Sequence, residues 1–202
     1  MPAPRPAPDP VGGVLLAAGA SRRVGHLKQL LDWGGQSILR HVAQTLLDAG
    51  LDPVGVVLGH ERDRLAKELA GLAVRIVENP DYEAGMVSSV RCGLGSLPPE
   101  TAACVIALVD QPRVTAEVIR RLVERHRRSG AAVTLPRCGG QTGHPVVVGR
   151  DVITAVLSAT SDSTLREVLS GFAARTSYLD VEDDSVLRDI DTQAAYEQEL
   201  RK

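Results

Sequence analysis

Aromatic side chains make up only 2% of this 202-residue chain, with Trp33 and Phe172 beside Tyr82, Tyr178 and Tyr196. That scarcity excludes the rows of stacking platforms by which proteins read single-stranded nucleic acid, and leaves backbone groups to read any nucleobase. Cysteine is scarce too. Cys92, Cys104 and Cys138 are odd in number and far apart, with no Cys-x-x-Cys and no histidine at ligand spacing, which argues against disulfides and against a zinc site. No apolar run approaches the roughly 20 residues that crossing a bilayer requires, and the first residues lack the apolar core of a secretion signal, so the expected location is the cytoplasm. Nor does one sign of charge dominate. Twenty-three basic residues against 25 acidic ones leave a net charge of -2, so no global field draws the chain to DNA or to an anionic membrane. The cluster Arg120-Arg121 to Arg125-His126-Arg127-Arg128 lies on a predicted amphipathic helix and reads as a solvated face. A Gly-x-Ser-x-Gly elbow is also missing, which removes one large class of hydrolases.

What the chain does have is enough apolar content, 44%, to bury a full core at the length of one domain. Residues 1–10 alternate proline with small or polar residues and are expected to be a disordered tail, with a single domain over 11–202. Short apolar runs predict strands at 13–17, 54–58, 74–77, 104–109, 131–135 and 145–148. Helices fit between them: Ser37 caps one whose inner face carries Ile38, Leu39, Val42 and Leu46, and Thr115 caps another with Val118, Ile119 and Leu122 inside. Alternating β and α units specify a three-layer α/β/α Rossmann-like domain with a mostly parallel, mixed sheet and ligands beyond the carboxyl ends of its strands.

The most informative stretch is Leu16-Ala17-Ala18-Gly19-Ala20-Ser21-Arg22-Arg23-Val24-Gly25-His26-Leu27-Lys28, a small-residue turn after a buried strand. Backbone amides in such a turn can face phosphate oxygens, and Arg22, Arg23 and Lys28 add positive charge. Neither a Walker A loop nor a Gly-x-Gly-x-x-Gly is present: Gly25 precedes His26 and Leu27 rather than Lys-Ser/Thr.

Three further groups follow predicted strands or lie near the end. Asp110 closes the apolar run 105–109 ahead of Gln111 and Pro112, a natural metal position and equally an ordinary turn aspartate. In Asp189-Ile190-Asp191-Thr192, residues two apart face one way in an extended segment, so either carboxylate can complete a metal shell; alternatively Asp191 or Thr192 caps a helix over 193–200. Asn79-Pro80-Asp81-Tyr82-Glu83-Ala84-Gly85-Met86-Val87-Ser88-Ser89 leads a glycine turn into a helix start whose amides and hydroxyls suit an anion or a ribose. Gly143-His144-Pro145 precedes another apolar run. A lone histidine is more often structural than catalytic, and the glycine-rich 137–142 before it reads as a mobile cover.

The first stretch resembles Leu-Ala-Ala-Gly-x-Ser-x-Arg-Met-Gly-x-x-Lys, the signature of the nucleotidyltransferases that act on molybdopterin, with Val24 where methionine is usual. The resemblance runs from Val14 to Thr192. Asp110-Gln111-Pro112 is similar to that family's Asp-x-Pro, 79–89 to its Asn-x-x-x-x-x-Gly-Met-x-x-Ser, and 189–192 to its Asp-x-Asp-Thr, although Gln193-Ala194-Ala195 lacks the acidic residue that usually follows. The resemblance implies transfer of a nucleotidyl group to an acceptor phosphate with release of pyrophosphate. It further implies catalysis by Arg22, Lys28 and Asp110, and a nucleotide held by Leu16, Ala17, Ala18, Gly19, Ser21, Arg22, Arg23, Lys28, Asn79, Gly85, Met86, Ser88 and Ser89. The implied cofactor is Mg²⁺, held by Asp110 with Asp189 or Asp191. A molybdopterin-type acceptor would lie near Gln111, Pro112, Gly143, His144 and Pro145. Leu-Ala-Ala-Gly resembles the cytidine-using members, which points to CTP and to a molybdenum hydroxylase or its maturation factor as the downstream partner. A different phosphorylated acceptor, or a non-catalytic carrier of a nucleotide-containing cofactor, are the alternatives.

Overall fold

The computed structural model describes residues 10–20, 27–160 and 163–201. The expected tail at 1–10 therefore lies, except for Pro10, outside the described residues. Eight strands form one mixed sheet: β1 (Val11–Leu16), β2 (Val54–Leu58), β3 (Val74–Glu78), β4 (Ala103–Leu108), β5 (Val133–Cys138), β6 (Gln141–Thr142), β7 (Val146–Gly149) and β8 (Thr176–Asp180). Their order is β3-β2-β1-β4-β7-β5-β6, with β8 paired to β5. The pairs β3/β2, β2/β1, β1/β4 and β5/β8 are parallel, whereas β7 runs antiparallel to both β4 and β5.

All six residues of β1 are buried, as expected of a strand covered on both faces. Its side chains alternate: Val11, Leu15 and Ala17 join one apolar cluster, and Val14, Leu16 and Ala18 the other. The first cluster is completed by α1 (Ile38–Asp48), α2 (Arg62–Glu68), α4 (Ala116–Ser129) and α7 (Gln193–Leu200). The second is completed by α3 (Met86–Gly95), α5 (Arg150–Ser158) and α6 (Leu165–Ser170). Helices thus cover both faces, giving the three-layer α/β/α arrangement.

Local chemistry sets the helix limits. Ser37 Oγ accepts from the Arg40 amide and Thr115 Oγ1 from the Val118 amide, each at 3.3 Å, so α1 and α4 start at the expected caps. Gly130, with φ 61°, ends α4 in the left-handed conformation that glycine adopts without strain. At the last helix Thr192, not Asp191, is the cap: its Oγ1 accepts from the Ala195 amide at 3.1 Å.

Two strands lie outside the sequence expectation. β8 has the mixed burial of a strand only partly covered, so it shows no continuous apolar run. β6 spans only two residues. The glycine-rich 137–142, expected to be a mobile cover, is a β5–β6 hairpin closed by Gly139 and Gly140, both at positive φ. Arg137 fastens it to β8 with two hydrogen bonds to the Asp180 carboxylate, at 2.7 and 3.1 Å. No helix among the described residues is long and apolar enough to cross a membrane.

Candidate functional site

Because β1, β2, β3 and β4 are mutually parallel, their carboxyl ends fall on one edge of the sheet. The loops after β1, β3 and β4 meet there around a cavity of about 240 Å³. Its lining includes Leu16, Ala17, Ala18 and Gly19 from the first loop, Gly85, Met86 and Ser89 from the start of α3, and Lys28 with Asp110. Ser21, Arg22 and Arg23 lie outside the described residues.

Gly19 does not require its lack of side chain for backbone reasons. Its φ is not in the left-handed region, and an added Cβ would meet nothing within 4 Å. The open space lies on the exposed side of the turn, where a ligand can approach the backbone closely. Gly85 is different: its φ of 106° and ψ of 176° suit only glycine, and this turn starts α3 without a side-chain cap. The Ser88 amide donates to the Gly85 carbonyl at 3.2 Å, while the earlier first-turn amides have no side-chain acceptor, an arrangement that favours negative charge.

The Asn79 segment is held from within. Buried Asn79 donates from Nδ2 to Ser88 Oγ at 2.8 Å and Ser89 Oγ at 2.9 Å, and its Oδ1 accepts from the Asp81 amide. Ser88 donates onward to the carbonyls of Asp81 and Gly85. These two hydroxyls, expected to face a nucleoside, thus shape the turn that carries Gly85 and Met86; Ser89 also lines the cavity.

Lys28 begins a short 3₁₀ turn, Lys28–Leu30. Its ammonium lies 2.7 Å from Asp110 Oδ2 and 3.1 Å from Asp191 Oδ1. Burial works against its charge, but the two carboxylates more than offset this and hold its pKa above the ordinary lysine range. Asp110 and Asp191 meet because the Ile190 amide donates to the Asp110 carbonyl at 2.8 Å, while the Ile190 side chain is buried in the core. The residues on either side of Ile190 are thereby placed at the strand end. Asp189 accepts from Gln111 Nε2 at 2.7 Å.

Among the described residues no three His, Cys, Asp or Glu side chains are gathered as a ready-made metal cage. One observation nevertheless fits a hard divalent cation. Asp110 Oδ1 is buried and has no hydrogen-bond partner among the described residues, although its other oxygen accepts from Lys28. A buried carboxylate oxygen is costly unless something positive or protic meets it, and Mg²⁺ takes one or two carboxylates plus water and phosphate oxygens.

The residues expected to face an acceptor divide into two groups. Gln111 is only 4% exposed and buttresses Asp189, and Pro112 is buried with its carbonyl 3.0 Å from His41 Nε2. Pro145 is buried as well. Gly143 and His144 are half-buried. An added Cβ on Gly143 would stand 1.9 Å from the Val186 carbonyl oxygen, so this close approach requires glycine. The same carbonyl accepts from the His144 amide at 3.0 Å. Burial pushes the His144 pKa below the usual histidine range, against the opposing pull of Asp189 and Asp110.

Sequence reasoning overlooked Gln29. This residue is wholly buried, and its Nε2 donates to the carbonyls of Ala17 and Gly19 at 3.1 and 2.7 Å, holding the turn at 17–19. A glutamine one residue after a candidate phosphate-binding lysine carries no signal that distinguishes it from a surface residue. The end of the chain is also used. Tyr196 donates to the Asp32 carbonyl at 2.6 Å, and Glu199 accepts from Arg188 at 2.9 Å and from Arg113, so α7 is fastened beside the Lys28 segment.

Residues 13–178 match the family described as the MobA-like NTP transferase domain. Among curated relatives, nicotine blue oxidoreductase of Paenarthrobacter nicotinovorans is 34% identical, the match covering 90% of this chain and 92% of that protein. Molybdenum cofactor cytidylyltransferase of Escherichia coli (strain K12) is 26% identical, over 89% and 90%. Among solved structures, Rv0371c of Mycobacterium tuberculosis H37Rv superimposes with a TM-score of 0.84 at 25% identity, over 96% of this chain and 98% of that one. A complex of that protein with manganese superimposes with a TM-score of 0.78 at 25% identity, over 96% and 99%.

Proposed function

From the premise that the chain belongs to the MobA-like NTP transferase family, we propose that it transfers CMP from CTP to the phosphate of a molybdopterin-type acceptor and releases pyrophosphate. The observation that carries this reading is the meeting of an anion-ready backbone turn with Lys28 and the half-orphaned Asp110 at one sheet edge. The cytidylyltransferase relative and the Leu-Ala-Ala-Gly loop support CTP as the donor.

In this reading the Leu16-to-Gly19 backbone and the start of α3 enclose the nucleoside and its phosphates, and Lys28 takes charge from the triphosphate. Ser21, Arg22 and Arg23, which precede Lys28 in the sequence and lie outside the described residues, would add to the same phosphate grip. Asp110 with Asp191 would hold Mg²⁺, and Asp189 stands behind them on Gln111. The manganese complex of the mycobacterial relative supports a divalent ion. When bound, that ion neutralises triphosphate charge and polarises the phosphorus under attack. The acceptor phosphate oxygen attacks the α-phosphorus and the bond to pyrophosphate breaks, so positioning and charge neutralisation suffice without a protein nucleophile. His144, kept neutral by burial, orients the acceptor by hydrogen bonding. The downstream partner would be a molybdenum hydroxylase or its maturation factor, and the setting the cytoplasm.

The test is calorimetric titration with CTP, GTP, ATP and UTP plus Mg²⁺, followed by pyrophosphate release with molybdopterin. Preference for CTP and acceptor-dependent pyrophosphate support the assignment. Pyrophosphate release only with another phosphorylated acceptor would change the substrate, and binding without turnover would favour a carrier. The 34% identity to nicotine blue oxidoreductase favours a redox reading as the second possibility. Turnover of nicotine blue with an added electron donor or acceptor, with no pyrophosphate formed from any triphosphate, would replace transfer by that reading.

A further inference from the structure

Two carboxylates, those of Asp110 and Asp191, meet one ammonium group, that of Lys28. Asp189, two residues before Asp191, is met instead by the neutral amide of Gln111, while Lys28 brings positive charge to both Asp110 and Asp191. It does so from a fixed base, because the next residue, Gln29, is locked under the first loop by two hydrogen bonds. Only the flexible four-carbon stem of Lys28 can carry the ammonium elsewhere.

We infer that Lys28 is an internal stand-in for the divalent cation: in the nucleotide-free protein its ammonium occupies the electrostatic position between Asp110 and Asp191, and an incoming triphosphate releases that position by drawing the ammonium onto its own oxygens. The identity of the anion rests on the nucleotidyl-transfer reading; the competition between Lys28 and a metal ion does not. Two cations cannot both sit within hydrogen-bonding or coordination distance of the same carboxylate pair without strong mutual repulsion. A divalent ion arriving alone must displace an ammonium held at 2.7 and 3.1 Å. Arriving with a triphosphate it need not, since the phosphates give Lys28 another anionic partner and draw the ammonium away from Asp110 and Asp191. Metal and nucleotide therefore bind with positive coupling, and Lys28 is the element whose two positions create it. The unpartnered Asp110 Oδ1 is the oxygen that Lys28 leaves unused.

The test is Mn²⁺ binding to the full-length protein, followed by electron paramagnetic resonance of the free ion, with no nucleotide present. Lys28→Met removes the ammonium, and Lys28→Gln removes its charge while keeping a donor, so one variant remains informative if the other fails to fold. Each is expected to bind Mn²⁺ about tenfold or more tightly than the parent, within the span that linked sites show. Addition of CTP should strengthen Mn²⁺ binding in the parent by a similar factor, and much less in either variant. Equal or weaker Mn²⁺ binding by the folded variants without nucleotide would overturn the inference. If the variants gain Mn²⁺ affinity but the parent transfers nothing, the transfer reading fails and the stand-in survives. If CTP is transferred and no gain appears, the reverse holds.

Discussion

Gln29 Nε2 lies 2.7 Å from the Gly19 carbonyl oxygen, a bond between a wholly buried side chain and an exposed loop glycine. Together with the bond to Ala17 it ties residues 17–19 to the core without the help of a ligand. Replacing Gln29 by Leu keeps most of the volume but deletes both bonds. Leaving buried polar groups unpaired costs about 1–3 kcal/mol each. Chemical denaturation should show a loss in that range, and CTP affinity should fall by about tenfold, corresponding to about 1.4 kcal/mol.

Asp110→Ala separates an enzyme from a carrier. The substitution removes the carboxylate that faces Lys28 and leaves the loop backbone in place. Turnover, read as pyrophosphate release, should fall about 10²- to 10³-fold, the usual cost of deleting one electrostatic contact to the reacting group. Binding of the acceptor should change far less. Equal turnover by variant and parent would remove Asp110 from the chemistry.

Ala18 is buried, with its methyl group in the cluster that includes Leu16 and Val90. Ala18→Gly withdraws that methyl and loosens the backbone at the point proposed to read the base. Calorimetry with CTP and GTP should show preference moving towards GTP. Unchanged CTP preference would place base selection outside this loop.

Two histidines, His126 and His144, have their pKa values lowered from 6.5 by burial, His126 also by the neighbouring Arg127 and His144 despite Asp189 and Asp110. In the unfolded chain they take up protons near pH 6.5; in the folded protein they do so only at lower pH. The unfolded chain therefore binds more protons between those limits. The stability tied to neutral histidine is present above pH 6.5 and is lost as pH falls through the folded values. Denaturant titrations at pH 7.5 and at about pH 5 should show this loss, and the double variant His126→Gln/His144→Asn should lose less between the two pH values.

The parts legible in the sequence were those that announce themselves locally. β1, β2 and β4 are continuous apolar runs, and Ser37 and Thr115 stand where helices need side-chain acceptors, so strand and helix positions followed. Asp189 and Asp191 were readable as a pair because period-two alternation places Ile190 inward. β8 was not readable, since its burial is mixed, with Tyr178 and Asp180 exposed, and its partner, β5, is 43 residues earlier by the Val133↔Thr176 pairing. Gln29 and Gln111 were opaque for a related reason: an amide becomes structural only when distant carbonyls or carboxylates arrive beside it, and nothing in the surrounding residues foretells which ones.

The contact between Gly143 and Val186 works by exclusion. Where a side chain would begin at 143, the Val186 carbonyl already stands, and that same oxygen receives the His144 amide. Four residues after Val186 comes Ile190, whose amide grips Asp110. The 143–145 turn and the 186–191 segment are therefore geared together like meshing teeth: sideways displacement of one is pushed directly into the other. The Gln111 side chain spans the same junction, donating to the Val186 carbonyl and to Asp189, so a displacement at His144 is carried towards the strand-end carboxylates by backbone and side chain together.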